Sequence, residues 1–397
     1  MTLRYTEAVL LDLFWIFSAA AIFLGALSLR AGQRRLRGVL AAIKDPPGEW
    51  TPPATLIVPL KGREEGLREN LQSLAALDYP DLELLLVVRH AADPAVEEVQ
   101  PLLSSRVRLV VAGTGPPATG EKIVNLLAAV AEARPASQVL AFADSDGRVS
   151  RDWLRALVSP LDDPRAGAAT GYRWYFPEHG GLWPLLRSAW NSTIAGSFGA
   201  GPAAFAWGGA MALRRETFRE AGVAGFWIGA VSDDYRLTQA IRAAGLEIRY
   251  TPRAMVATVG DCSAREFLSW AVRQLTITRI YSPRLWWPGL AAHVVYCGAM
   301  AAGTLVVGGG GIWALPVWLL AFVPGMWRGV MRLRAGRAMF PARSAWFDRY
   351  GWAYVLLMPL VTWIWLYEFL ASLFRRQIEW RGNIYELRSA TETRVLR

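Results

Sequence analysis

The sequence predicts an α/β domain, a mostly parallel sheet wound with helices, accompanied by transmembrane and interfacial helices. Three observations predict it. Apolar runs of strand length alternate with helical stretches over residues 54–143, the pattern of repeated βα units. Long apolar stretches lie outside that region, at residues 8–29 and 289–374. One strand-like run ends in an acidic turn, Phe142-Ala143-Asp144-Ser145-Asp146-Gly147, and the C-terminal strand edge is where open α/β sheets bind ligands.

Composition supports the membrane part. A hydrophobic content of 53% with 19 Trp among 397 residues exceeds what an ordinary soluble enzyme carries, so membrane segments must account for the excess. The net charge is +10. Such a surplus serves nucleic acid or an anionic membrane surface. Because Arg30, Arg34, Arg35, Arg37, Arg328, Arg332, Arg334 and Arg337 flank apolar stretches, the membrane is expected and nucleic acid is not. Cys262 and Cys297 lack disulfide or zinc spacing, which fits a reducing compartment. The bias toward Ala, Arg, Gly and Trp suggests a bacterial source. The expected location is the bacterial inner membrane, multi-pass, with the α/β domain facing the cytoplasm.

In chain order, residues 1–30 read as a retained anchor, its Arg cluster following the apolar stretch and placing that end in the cytoplasm. A basic, Pro-rich linker (31–53) follows. The catalytic domain is expected over 54–262, with strands at 54–60, 82–88, 107–112 and 139–143 and helices at 64–77, 95–103 and 121–133. An amphipathic interfacial helix is expected over 263–288, since aromatic and apolar residues there lie among arginines. C-terminal transmembrane helices are expected over 289–374 and a basic tail over 375–397. The stretch 312–327 has 16 residues and two prolines, Pro316 and Pro324, so it reads as short or re-entrant. The number of spans and the side of the tail stay open.

Candidate chemistry is carried by four stretches. Asp144 and Asp146 can hold a hard divalent ion against a diphosphate, although a turn favours Asp for local hydrogen bonding too. Asp233 and Asp234 precede a helix that runs to Ala243. Asp233 there suits an N-cap, and a second carboxylate suits a general base. In Trp207-Gly208-Gly209 the paired glycines let the backbone approach a ligand, as they would in any tight turn. Lys122 opens a helix, where it meets a phosphate or simply water. His179 and His293 have no partner at ligand spacing and read as structural.

Taken in order, these pieces resemble the inverting GT-A glycosyltransferases of family two and twenty-one type, in the ceramide glucosyltransferase-like and hopanoid-associated branch. The matching pieces are Ile57-Val58-Pro59-Leu60-Lys61-Gly62, Asp93-Pro94-Ala95, Lys122 with Asn125, Asp144-Ser145-Asp146, Trp207-Gly208-Gly209, Asp233-Asp234-Tyr235 and Ile378-Glu379-Trp380-Arg381-Gly382. The resemblance implies a mostly parallel mixed sheet with helices on both faces. It implies that Asp144 and Asp146 hold Mg2+ or Mn2+, and that Pro59, Lys61, His90, Asp93, Lys122 and Asp144 lie on the nucleotide-sugar side. Trp207, Gly208 and Gly209 then line the acceptor side, and Asp234, with Asp233 beside it, takes the acceptor proton. His90 stands where the family usually has Asp, so either His90 or Asp93 takes over the base contact. Of the interfacial motif, Arg273 and Gln274 are present but Thr276-Ile277 replaces Arg-Trp. Arg279 then supplies the lost cation.

The function implied is transfer of a hexose from a nucleotide sugar, a UDP-sugar by resemblance, to a lipid hydroxyl with inversion. The partners are thus the nucleotide sugar donor, a membrane lipid acceptor and the bilayer. Two alternatives are a processive polysaccharide synthase, which would need a longer bundle of spans, and a degenerate glycosyltransferase fold that binds a lipid or partner. Retention of Asp144, Asp146 and Asp234 argues against the second.

Overall fold

The structure is a computed structural model that describes residues 2–198 and 204–396. The chain divides into two compact units: one comprises Ala41–Glu178, Phe198–Gly260 and Arg376–Arg397, the other Met1–Leu40, His179–Ser197 and Asp261–Arg375.

The first unit is built on strands β1 (Ala54–Pro59), β2 (Leu82–Val88), β3 (Val107–Val111), β4 (Val139–Ala143), β5 (Ala166–Thr170), β6 (Arg173–Phe176), β7 (Ala210–Arg214), β8 (Glu247–Tyr250) and β9 (Val256–Val259). Seven of them form one sheet in the order β3-β2-β1-β4-β7-β5-β8, while β6 and β9 pair separately. The main sheet is mixed but mostly parallel, because β7 alone runs against its neighbours β4 and β5. β1, β2 and β4 are buried at every position, as strands covered on both faces must be, and this is why they read as continuous apolar runs. Leu56, Val58, Leu84, Leu86, Leu154 and Trp153 form the centre of the core.

Residues 376–397 return to this unit as β10 (Gln377–Trp380), β11 (Asn383–Leu387) and β12 (Thr393–Val395), an antiparallel sheet. The sequence reading of a basic tail missed these strands. Trp380 pairs with Asn383, so Arg381 and Gly382 alone make the turn, with φ of 50° and 80°. That is the two-residue hairpin geometry that matches strand twist.

Among the described residues three helices, lying wholly or mostly in the second unit, are long and apolar enough to cross a membrane: 7–44, Pro283–Gly308 and Ile312–Met339. The first and third pack side by side and run the same way: Phe14 clusters with Ala314, and Ala21 with Ala321. The stretch expected to be short or re-entrant, 312–327, opens with a 3-10 turn, Ile312–Ala314, and runs on into the continuous helix Leu315–Met339. Pro316 sits at the helix start, where a missing N–H costs nothing, and Pro324 is accommodated inside. The reverse holds for 351–374. It breaks into Ala353–Leu356 and Met358–Ser372, and 15 helical residues span only about 22 Å, short of a hydrocarbon core. The expected interfacial helix ends at Tyr281 rather than 288, since Pro283 drives Ser282 out of helical geometry and starts the next helix. A capping box, Ser263 with Glu266, begins it.

Candidate active site

Strand direction assembles the centre. Because β7 is antiparallel to β4, the register pairs Ala143 with Ala210, and the residues before β7 meet those after β4. Trp207, Gly208 and Gly209 thereby come beside Asp144. The approach is close: a methyl group on Gly209 would lie 2.7 Å from Asp144 Oδ2 and collide with the Trp207 ring, and one on Gly208 would lie 2.8 Å from Lys122 Nζ and collide with Asp233. Here the glycines are required by space rather than by φ.

The acidic turn is fixed from outside by the Asn70 side-chain amide, which donates to the Ser145 carbonyl at 3.0 Å. Lys122 reaches the centre from the second position of helix Glu121–Glu132. Gly120 lets that helix start press against Val231, whose Cα would be 3.0 Å from any added Cβ. Lys122 is consequently not a solvated surface lysine. Its Nζ lies at ion-pair distance from both Asp144 Oδ1, 2.8 Å, and Asp233 Oδ2, 3.1 Å.

A second cation, Arg173, was not singled out from the sequence. It donates to Asp144 Oδ2 at 2.9 Å and to Asp146 Oδ2 at 2.8 Å, and its guanidinium lies over the Trp207 ring, 4.6 Å from the centroid. An Arg within the aromatic run Tyr172-Arg173-Trp174-Tyr175 was the available signal, since a cation in a strand buried at every position needs an anionic partner. Burial opposes ionisation of Asp144, but Lys122 and then Arg173 outweigh it and hold the carboxyl below its ordinary range. Burial pushes Asp233 up to about 6, with Lys122 opposing and Asp234 and Asp144 adding to the rise.

The N-cap expected at Asp233 belongs to Ser232, whose hydroxyl accepts from Tyr235 N–H at 3.4 Å. Asp233 is thus freed to face Lys122. Asp234 is held by hydrogen bonds: Oδ1 accepts from the Ser232 hydroxyl and, at 2.7 Å, from Tyr235 N–H, while Oδ2 accepts from Gly208 N–H at 3.4 Å.

The returning hairpin adds contacts no sequence pattern announced. Glu121 Oε2 accepts from Lys61 Nζ at 2.8 Å and from the Asn383 amide at 2.6 Å, and the Tyr385 hydroxyl accepts from Glu121 N–H at 3.2 Å. Arg381 pairs with Glu64 and donates to the Lys61 carbonyl at 3.2 Å. Glu64 in turn accepts from the Ser145 hydroxyl at 3.1 Å. Pro59 closes β1. Asp93 Oδ1 accepts from Gly62 N–H at 2.8 Å and Ala95 N–H at 2.9 Å, which braces the loop after β1, and His90 is exposed at the end of β2.

Arg273, Gln274 and Arg279 lie on helix Ala264–Tyr281 of the other unit. There Arg279 Nε donates to the Ser372 carbonyl at 3.0 Å, the end of a neighbouring helix, as a basic side chain often does.

The profile of glycosyl transferase family 21 matches residues 13–393. The chain belongs to that family. It is a glycosyltransferase of GT-A architecture, as the ordered motifs imply. Among solved structures it is similar to the mannosyltransferase PcManGT from Pyrobaculum calidifontis, in complex with GDP-Man and Mn2+: 19% identity, TM-score 0.46, covering 90% of this chain and 97% of that one. It is also similar to GalNAc-T7 with UDP, GalNAc and Mn2+: 15% identity, TM-score 0.39, covering 54% of this chain and 45% of that one. A third is glucosyl-3-phosphoglycerate synthase from Mycobacterium tuberculosis with Mn2+ and UDP-glucose: 15% identity, TM-score 0.35, covering 61% and 80%.

Among the described residues no three His, Cys, Asp or Glu side chains form a metal cage. The acidic turn nonetheless fits a hard divalent ion that takes its remaining oxygens from a substrate diphosphate. Asp146 Oδ1 is buried without a hydrogen-bond partner, an orphaned anionic oxygen beside Asp144.

Proposed function

We propose that this family 21 enzyme transfers a hexose from a nucleotide sugar, with UDP as the expected carrier, to the hydroxyl of a membrane lipid such as ceramide, diacylglycerol or a hopanoid. The observation that carries the reading is the meeting of Asp144, Asp146, Asp233 and Asp234 with Lys122 and Arg173 around Gly208 and Gly209. Four carboxylates with two cations are costly to bury and suit a charged donor and a base. Long apolar helices in the same chain support a lipid acceptor. Basic clusters at the ends of two helices that run the same way support a cytoplasmic active domain in a bacterial inner membrane.

In this mechanism Asp234 accepts the proton of the acceptor hydroxyl, with its orientation set by Ser232, Tyr235 and Gly208. The acceptor oxygen bonds to the anomeric carbon as the bond to the diphosphate oxygen breaks, which inverts the centre. Asp144 and Asp146 would hold Mg2+ or Mn2+, which when bound offsets charge on the leaving diphosphate. Lys122 and Arg173 keep Asp144 ionised, and Arg173 orients both Asp144 and Asp146. Trp207 offers an aromatic face on the acceptor side.

Incubating the full-length protein with radiolabelled nucleotide sugars, Mg2+ or Mn2+ and a total lipid extract tests the reading. A labelled glycolipid that Asp234→Asn fails to make is the expected result. Label in a polymer would transfer the assignment to a processive synthase. Donor binding with no labelled product from any lipid would leave a degenerate binding fold.

A further inference from the structure

The helical unit contains a group of arginines that glycosyl transfer does not use. Arg35, on the first helix, and Arg328 and Arg332, on helix Leu315–Met339, come together where those two helices run side by side. A Cβ on Gly32 would lie 3.8 Å from the Arg328 side chain, and one on Gly196 would lie 3.3 Å from that of Arg332. Arg35 donates to the Gly196 carbonyl at 3.3 Å. Arg328 is within electrostatic reach of both other cations.

No carboxylate lies within ion-pair distance of Arg35, Arg328 or Arg332 among the described residues. Arg332 is 6% exposed. Its guanidinium meets the Met358 sulfur at 3.0 Å, a poor acceptor, and its Nε has no partner. An arginine that merely buries its stem keeps its head in water. Arg332 does not.

Clustered like charges at the end of apolar helices are costly unless an anion joins them. Guanidinium groups present planar donor pairs that match phosphate oxygens, and basic pockets between membrane helices suit lipid headgroups. We propose that Arg35, Arg328 and Arg332 form a binding site for the phosphate group of a membrane lipid, seated between the first and third long helices. The inference does not rest on the identity of the sugar or of its acceptor. A phosphate recurs in anionic phospholipids and in isoprenyl phosphates, so the shared chemistry is a lipid-borne phosphate.

The full-length protein in neutral detergent is titrated with dodecyl phosphate, with inorganic phosphate and with dodecanol, and binding is read by native mass spectrometry and by the thermal midpoint. Dodecyl phosphate is expected to bind and raise the midpoint, while dodecanol does neither. Arg332→Met, which removes a buried charge and keeps an apolar stem, and Arg35→Gln, at a half-buried position, are each expected to weaken it roughly tenfold, the loss of one charge-assisted contact. Arg37→Gln, at an exposed position on the same helix, is expected to bind as the parent does. Equal binding by parent, Arg332→Met and Arg35→Gln would overturn the site. Inorganic phosphate acting as strongly as dodecyl phosphate would overturn the lipid assignment and leave a free-anion site.

Discussion

Lys122 stands between Asp144 and Asp233, 2.8 Å from the first and 3.1 Å from the second, so one ammonium joins the turn after β4 to the start of the helix that carries Asp234. A cation bridging two elements sets their spacing and the ionisation of both carboxylates. Replacement by an isosteric apolar chain, Lys122→Met, leaves Asp233 beside Asp144 and Asp234 without its counter-charge. Turnover is expected to fall about a hundredfold, the scale for removing one preorganised electrostatic group. The acid limb of the pH profile should also move upward, because Lys122 opposes the rise of Asp233. An unmoved acid limb in steady-state assays would dissociate Lys122 from Asp233.

Asp233 also makes stability depend on pH. Its folded carboxyl titrates at about 6 against an ordinary 3.8. Between those values the folded chain retains a proton that the unfolded chain releases, so stability from this group is full below the lower value and is lost as pH rises through the higher one. Asp233→Asn cannot titrate. Its thermal midpoint should therefore decline less than the parent's from pH 4 to pH 6, read by scanning both proteins in the same detergent. Parallel declines would exclude Asp233 as the titrating group.

Gly209 has no room for a side chain between Asp144 and Trp207. Gly209→Ala should displace the indole or the carboxylate by a large fraction of an ångström, enough to cost roughly a hundredfold in turnover. Since the site is partly open, the thermal midpoint should move little. A variant with normal kcat would show that the Trp207 ring yields freely.

What the sequence made legible followed from pattern and from local order. β1, β2 and β4 are continuous apolar runs because both faces are covered, and the acidic turn was visible because it ends one of them. The pairing of β4 with β7 was not visible: β7 follows β4 by more than sixty residues, and no local signal encodes an antiparallel neighbour in a parallel sheet. Arg173 was hidden for the same reason, its partners Asp144 and Asp146 lying well before it in the chain. Apolar content alone also misjudged the C-terminal helices, because Met358-Pro359 starts a new helix where hydropathy runs on unbroken. Ser232 took the cap from Asp233 although both residue types favour that position.

Arg381 occupies a positive-φ turn position that Asn or Gly would fill with less strain. Its side chain accounts for the choice: it pairs with Glu64, bonds the Lys61 carbonyl and lowers the carboxyl of Asp144. Arg381→Gly should thus relax the turn while removing a cation from the donor side. The expected outcome is a thermal midpoint at or above the parent's, with the KM for nucleotide sugar raised roughly tenfold, equivalent to one charge-assisted hydrogen bond. An unchanged KM would confine Arg381 to holding the hairpin.

Arg173 occupies oxygens of both Asp144 and Asp146, and Asp146 keeps only Oδ1 unpartnered. Under the proposed function, a divalent ion bound with a nucleoside diphosphate would compete with that guanidinium for the same carboxylates. Two substitutions should consequently act in opposite directions on metal affinity. Asp146→Asn removes an anionic ligand and should weaken Mn2+ binding about tenfold or more in the presence of UDP, a contact on the scale of a charged hydrogen bond. Arg173→Met removes the competitor and should tighten Mn2+ binding while slowing transfer, because the carboxylates lose the donor that orients them. Isothermal titration of both variants with Mn2+ and UDP reads affinity separately from turnover. Weaker Mn2+ binding by Arg173→Met would mean that the guanidinium shapes the ion site rather than competing for it, and unchanged binding by Asp146→Asn would remove Asp146 from the ligand set.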